Sequence, residues 1–225
     1  VIASGPLTRD KSTFKDALDI IRRYNLENKI PKSVLDYISL KQNSSKKQNF
    51  DNVKQFLLCD NNYLLEIIEN RAKILNLKVI RIKNVQGESR EVAKNICNKL
   101  EKAKIKPPLL IVYGGETTVT LDKEFGKGGR NQEFILSCLK YFNYRKFDNF
   151  TIASITSDGM DYIKESCGAI IDKKSFELIK QKNIDLDKYL DSHNSYYLLK
   201  KINSNLNTNA LTGVNVGDIM LFLFL

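Results

Sequence analysis

Between Tyr113 and Glu133 the chain reads Tyr-Gly-Gly-Glu-Thr-Thr-Val-Thr-Leu-Asp-Lys-Glu-Phe-Gly-Lys-Gly-Gly-Arg-Asn-Gln-Glu. Glycine lets backbone amides approach a ligand closely, and a helix start carries partial positive charge, so Gly114, Gly115, Gly128, Gly129 and Asn131 form a candidate anion cradle. Thr117 and Thr118 add hydroxyl donors, Glu116 a carboxylate, and Arg130 the planar fork best suited to phosphate or carboxylate. The competing reading is turn chemistry around a short hairpin, Thr117–Leu121 returning near Phe125. The stretch is neither a Walker loop nor a G-x-G-x-x-G fingerprint, since the required Lys-Ser/Thr and glycine spacings are missing. Downstream, Thr156-Ser157-Asp158-Gly159-Met160-Asp161 supplies two carboxylates suited to magnesium or to general-base work. An Asp-Gly turn with one aspartate capping the next element stands beside that reading.

The elements that must position these groups alternate. The pattern predicts strands at Val53–Cys59, Val79–Ile82, Leu109–Tyr113, Phe150–Ile155 and Gly168–Asp172, with a further strand at the C-terminal end. Helices are predicted over Asn61–Leu75 and Glu88–Ala103, after Arg130, over Ser175–Lys180, and from His193 through Tyr197. This order predicts a three-layer α/β/α domain with a mostly parallel or mixed sheet, binding ligands beyond the carboxyl ends of its strands. Ahead of it, Phe14, Ala17, Leu18 and Ile21 mark one helix face, and Pro31 opens a second helix. The polar run Lys41–Asn52 reads as a linker, dividing the chain into residues 1–48 and 49–225. A start at Val1, in Val-Ile-Ala-Ser-Gly-Pro, suggests the later part of a longer protein.

The 225 residues are 42% hydrophobic and 28% charged, the composition of a globular protein. No apolar run reaches membrane-spanning length and no signal-peptide pattern opens the chain, so a cytoplasmic location without a membrane partner is expected. Cys59, Cys97, Cys138 and Cys167 lack C-x-x-C spacing, and His193 is the single histidine, which argues against zinc. His193 itself reads as a cap or surface residue. The net charge of +10 comes from lysines spread along helix faces with no RNA-binding aromatic signature, so no nucleic-acid partner is expected. A small anionic substrate fits that charge.

Assembled, these residues resemble the class II glycerate kinases, whose C-terminal region is the MOFRL domain. The likeness rests on Ile2-Ala3-Ser4-Gly5-Pro6 with Thr8 and Asp10, and on Gly87-Glu88-Ser89-Arg90-Glu91-Val92-Ala93. It continues through Gly114–Thr120 with Gly128–Glu133, the most specific part, and Ser157-Asp158-Gly159 with Asp161. Asn194-Ser195-Tyr196 and Thr212-Gly213 with Asn215, Val216 and Asp218 complete it. Two loops depart from the family pattern: Tyr162-Ile163-Lys164 stands where Gly-Pro-Thr is usual, and Val214 replaces a threonine.

The resemblance implies phosphorylation of D-glycerate to 2-phosphoglycerate with ATP and Mg²⁺. It implies a cleft between two α/β domains, residues 1–48 being the helical remnant of a Rossmann-like N-terminal domain that carries a catalytic lysine. It places the essential arginine at Arg130, with Asp158 and Glu116 as catalytic partners and Asp158 or Asp161 at the metal. Gly114, Gly115, Thr117, Thr118, Gly128, Gly129 and Asn131 are implied at the nucleotide, and Ser4, Gly5 and Asn215 at the substrate. The N-terminal domain of the same protein is the implied partner, and homo-oligomerisation stays open. Two other readings are a non-catalytic binding domain and a hydroxypyruvate reductase.

Overall fold

The computed structural model describes residues 7, 12–42, 50–122, 124–207 and 211–225. The implied substrate residues Ser4 and Gly5, with Thr8 and Asp10, lie outside the described residues. The chain divides into two compact units, Val1–Phe56 and Leu57–Leu225.

The first unit contains α1 (Phe14–Arg23) and α2 (Lys32–Lys41). Thr13 and Asp16 close a capping box at the start of α1, each satisfying the other's backbone amide. Leu18 and Ile21, three residues apart on one face, are buried. Phe14 meets Tyr37 of α2 edge-to-face at 6.0 Å between centroids.

The second unit runs α3 (Asn61–Ile74), β1 (Lys78–Glu88), α4 (Ser89–Lys102), β2 (Leu109–Thr118), α5 (Arg130–Tyr141) and β3 (Phe150–Thr156). It continues through β4 (Gly168–Asp172), α6 (Lys173–Gln181), α7 (Leu186–Asp191), α8 (Ser195–Lys201), β5 (Asn205–Leu206) and β6 (Asp218–Phe224). The sheet is mixed, with order β1-β2-β6-β3-β4-β5. Among the described residues only β1 and β2 pair in parallel; the β2–β6, β6–β3, β3–β4 and β4–β5 pairings are antiparallel. The expectation of a largely parallel sheet therefore yields to its mixed alternative. The C-terminal strand β6 inserts between β2 and β3, with Gly115 opposite Asp218 on one side and Thr156 opposite Asp218 on the other.

Leu109–Tyr113 reads as one apolar run because both faces of β2 are covered. Leu109, Ile111 and Tyr113 join a core built with α4, α5, α6, α7 and α8, while Val112 packs with Leu65 of α3 and Ile219. Helix α5 is buried continuously from Asn131 to Leu139, which places its start inside the protein. No strand forms over Val53–Cys59, where Phe56 and Leu58 are exposed. An apolar run becomes a strand only when a partner edge pairs with it, and here none does. Among the described residues no helix is long and apolar enough to cross a membrane.

Candidate active site

Strands β1, β2 and β3 all point the same way, so the ends of β2 and β3 and the beginning of β6 share one edge of the sheet. There Arg130, the first residue of α5, meets Asp218, the first residue of β6. Arg130 Nε lies 2.6 Å from Asp218 Oδ2 and Nη2 lies 2.9 Å from Oδ1, a bidentate pair. Asp218 is fully buried, whereas Glu116, 3.1 Å from Nη2, is exposed. The hydrogen bonds that Arg130 donates to Asp218 raise the Arg130 pKa further, so the guanidinium is a fixed positive charge held from behind. Asn61 of α3 secures the other end of this support by donating to the carbonyls of Val216 (2.8 Å) and Asp218 (3.1 Å).

Arg130 opens onto a cavity of about 390 Å³ whose walls include Glu116, Thr117, Thr118, Gly128, Gly129, Asp161 and His193. Thr117 is buried and its hydroxyl has no hydrogen-bond partner among the described residues. That is the state of a group waiting for a ligand or water. Thr118 instead donates to Glu88 at 3.0 Å, and Glu88 also accepts from the amide and hydroxyl of Thr120 at 3.0 and 2.7 Å. The second glycine cluster is shaped by neighbouring loops. A side chain at Gly128 would meet the Ser195 hydroxyl, and one at Gly129 would meet Asp161.

Several expected site residues do other work. Gly114 packs on Asn61 and Leu65, and Gly115 on the backbone of Val85; neither lines the cavity. Asn131 is fully buried, accepting from Ser154 at 2.5 Å and donating to Asp161 at 3.2 Å. Asp161 itself caps α5, its two oxygens accepting from the amides of Asn131 (3.1 Å) and Gln132 (2.9 Å) and from both side chains. A buried helix start needs an internal acceptor for its free amides, and Asp161 is that acceptor. Burial pushes its carboxyl pKa up, while hydrogen bonds from Gln132 and Asn131 pull it down, leaving it raised overall. Both oxygens are engaged, so Asp161 is poorly placed to hold a metal. The carboxylate that the capping alternative required is thus Asp161, and the Asn131 amide expected in the anion cradle is already taken.

Asp158 stands apart from that cavity in a loop network. Thr156 and the Met160 amide donate to Oδ1 at 2.9 and 3.1 Å, and Asn215 donates to Oδ2 at 3.3 Å. Among the described residues no cluster of three metal-ligating side chains occurs. Magnesium often keeps one or two protein carboxylates plus substrate phosphates and water, and Asp158 Oδ2, with one long hydrogen bond, suits that mode.

Sequence reasoning gave no catalytic role to a trio at the cavity wall, half-buried Arg90 with buried Glu133 and His193. Arg90 of α4 pairs with Glu133 at 2.6 Å, and Glu133 Oε2 lies 3.0 Å from His193 Nδ1. Arg90 also donates to the Leu190 carbonyl. His193 is buried, not on the surface, in the turn after α7. Ser89 ties the start of α4 to α5 by donating to the Arg130 carbonyl at 2.7 Å.

The model of the MOFRL family matches residues 109–218, which span the cavity and both partners of the Arg130–Asp218 pair. A second family model, a domain of unknown function (DUF4147), matches residues 1–39. Residues 109–218 belong to the MOFRL family. The chain is 34% identical to a glycerate 2-kinase of Pyrococcus horikoshii over 98% of its own length and 51% of that protein's. The crystal structure of a glycerate kinase from Thermotoga maritima superposes with a TM-score of 0.76 at 30% identity, covering all of this chain and 53% of the other. A relative from Agrobacterium vitis, 29% identical over 97% of this chain and 57% of its own, bears the name putative hydroxypyruvate reductase. The chain thus spans about half the length of the relatives it matches.

Proposed function

We propose that this MOFRL chain forms one wall of the active site of an ATP-dependent glycerate 2-kinase, transferring a phosphoryl group to the 2-hydroxyl of D-glycerate. The observation that carries the reading is the buried Asp218 holding Arg130 bidentately at the cavity mouth. Phosphoryl transfer needs positioning and neutralisation of charge more than covalent chemistry, and a pre-set guanidinium supplies both without reorganising. In this reading Arg130 takes the transferring phosphoryl group or the glycerate carboxylate, and Thr117 and Gly128–Gly129 take phosphate oxygens. Asp158, with Asn215 beside it, is the residue that would hold Mg²⁺, which when bound neutralises the phosphates of the donor. Glu116 tunes the approach to Arg130 from the exposed side. The second half of the cleft, with its catalytic lysine, belongs to the N-terminal domain of the same protein, residues 1–48 being that domain's end. The enzyme works in the cytoplasm.

The test is ATP consumption by the full-length protein with D-glycerate and Mg²⁺, the product being identified by direct acceptance by enolase. Arg130→Ala should lower kcat/KM by about 10³-fold or more, the scale of a phosphoryl-stabilising arginine. Normal turnover by a folded Arg130→Ala enzyme would remove the role. NADH oxidation with hydroxypyruvate in place of ATP consumption would establish a reductase instead.

A further inference from the structure

We infer that His193 is the proton acceptor for the attacking hydroxyl, an assignment that rests on the kinase reading above. Two elements meet at its imidazole, and a third backs one of them. Glu133 of α5 lies 3.0 Å from Nδ1, Arg90 Nη2 of α4 lies 3.1 Å from the same nitrogen, and Asp191 of α7 lies 3.7 Å from Arg90. Nδ1 cannot serve both close neighbours, because a carboxylate only accepts and a guanidinium only donates. A bare Nδ1 would set its lone pair against the Glu133 oxygen. Arg90 has better acceptors in Glu133 Oε1 and the Leu190 carbonyl. The proton therefore sits on Nδ1, pointing at Glu133, and in the neutral ring Nε2 carries the lone pair. Among the described residues Nε2 has no hydrogen-bond partner, nor is it among the fully buried unpartnered atoms.

His193 forms part of the wall of the cavity that Arg130, Glu116, Glu133 and Asp161 also line. Two of those carboxylates are spoken for by α5's amides and by Arg90, and Glu116 lies against Arg130. With those acids engaged, Nε2 of His193 is left as the neutral acceptor on a wall that also carries Val119, Leu121 and Phe125. A carboxylate fixing one imidazole nitrogen so that the other works as a base is the logic of acid–base dyads in general. As the hydroxyl oxygen bonds to the transferring phosphorus, Nε2 takes the hydroxyl proton. The bond from that phosphorus to the bridging oxygen of the nucleoside triphosphate breaks with its electron pair, releasing the nucleoside diphosphate.

Because the chain has one histidine, its ring can be read directly. Long-range proton–nitrogen correlation of the ¹⁵N-histidine-labelled chain should show the Nδ1–H tautomer near neutral pH, and an Nε2–H tautomer would overturn the assignment. In the full-length enzyme His193→Asn is the variant of choice, since asparagine tolerates the positive φ of 48° at this position and its amide can still reach Glu133. It should lower kcat about 100-fold with KM little changed, the low end of a general base's contribution. The acid-side fall in kcat that protonating a neutral base produces should vanish with it. A His193→Asn enzyme with wild-type kcat and an unaltered acid limb would sink this role alone. A folded wild type with the Nδ1–H tautomer but no glycerate-dependent ATP consumption would sink the kinase reading and this role together.

Discussion

The two glycine clusters of the central motif have the same composition and opposite jobs. Gly114 and Gly115 sit within β2, and each admits a neighbour's atoms where a Cβ would stand: the Asn61 side-chain oxygen at 2.0 Å and the Val85 carbonyl oxygen at 2.1 Å. Gly128 and Gly129 stand before α5 and form part of the cavity wall. The first cluster acts on the site at second hand. Its lack of side chains lets Asn61 reach the carbonyls at the head of β6, which sets Asp218, which in turn holds Arg130. The lesson is that a glycine's neighbours, not the glycine-rich look of a segment, decide whether it serves packing or ligand.

Substitution in the first cluster should therefore break the fold before it touches chemistry. In Gly115→Ala the new methyl meets Val85 backbone atoms at 2.1, 2.5 and 2.8 Å, which no rotamer change relieves. We expect a loss of about 3 kcal/mol or more, at the upper end of overpacking effects, read as a lower denaturation midpoint at unchanged m-value. A Gly115→Ala protein as stable as the parent would erase the distinction.

The second cluster should respond in the reverse way. The Cβ of Gly128→Ala meets the Ser195 hydroxyl at 2.2 Å, a single side-chain atom that has no hydrogen-bond partner among the described residues, whereas the atoms met at Gly115 are backbone. Stability should fall by less than in Gly115→Ala, while the shift forced between Gly128 and Ser195 displaces the cavity wall and weakens nucleotide or glycerate binding about tenfold, equivalent to roughly 1.4 kcal/mol. Thermal melts beside calorimetric titration of the full-length enzyme separate the two effects. Equal losses of stability in Gly128→Ala and Gly115→Ala would make both clusters structural.

What could be read in the sequence follows the range of the interactions. The apolar run of β2 and the periodic face of α4 are local patterns: α4 forms close to its expected bounds, and β2 begins at Leu109 as expected but runs on through the first glycines to Thr118. Arg130 was legible as a charged residue opening a helix after glycines. Its partner was not, because Asp218 lies 88 residues away and meets it only when β6 inserts between β2 and β3. Strand order is a long-range outcome that a hydropathy period does not encode. The same distance hid the Glu133–His193 contact, 60 residues apart. Asp161 had two readings open, and the choice between them depended on how deeply α5 would be buried. One signal for Asp218 was present: an aspartate after Gly217, heading a wholly apolar strand, is a charge that must find a buried partner.

The tether between the clusters gives the smallest expected effect. Glu88, at the end of β1, accepts from Thr118 and Thr120, so it holds the chain just where it leaves the first cluster and heads for the second. Burial alone would raise its pKa, but the hydrogen bonds from Thr120 and Thr118 and the charge of Arg90 outweigh that, and the carboxyl is lowered from 4.5. A folded pKa below the unfolded value means the stabilisation is fully present above the ordinary glutamate range and is lost as pH falls through the lowered value. The stability difference between wild type and Glu88→Gln should therefore be small but measurable near neutrality and should shrink steadily on acidification below about pH 4.5. If the difference instead grows toward acid, the threonine hydrogen bonds favour the protonated carboxyl. The segment would then be held by packing around β2, and the two clusters would be coupled through the strand itself, not through this side chain.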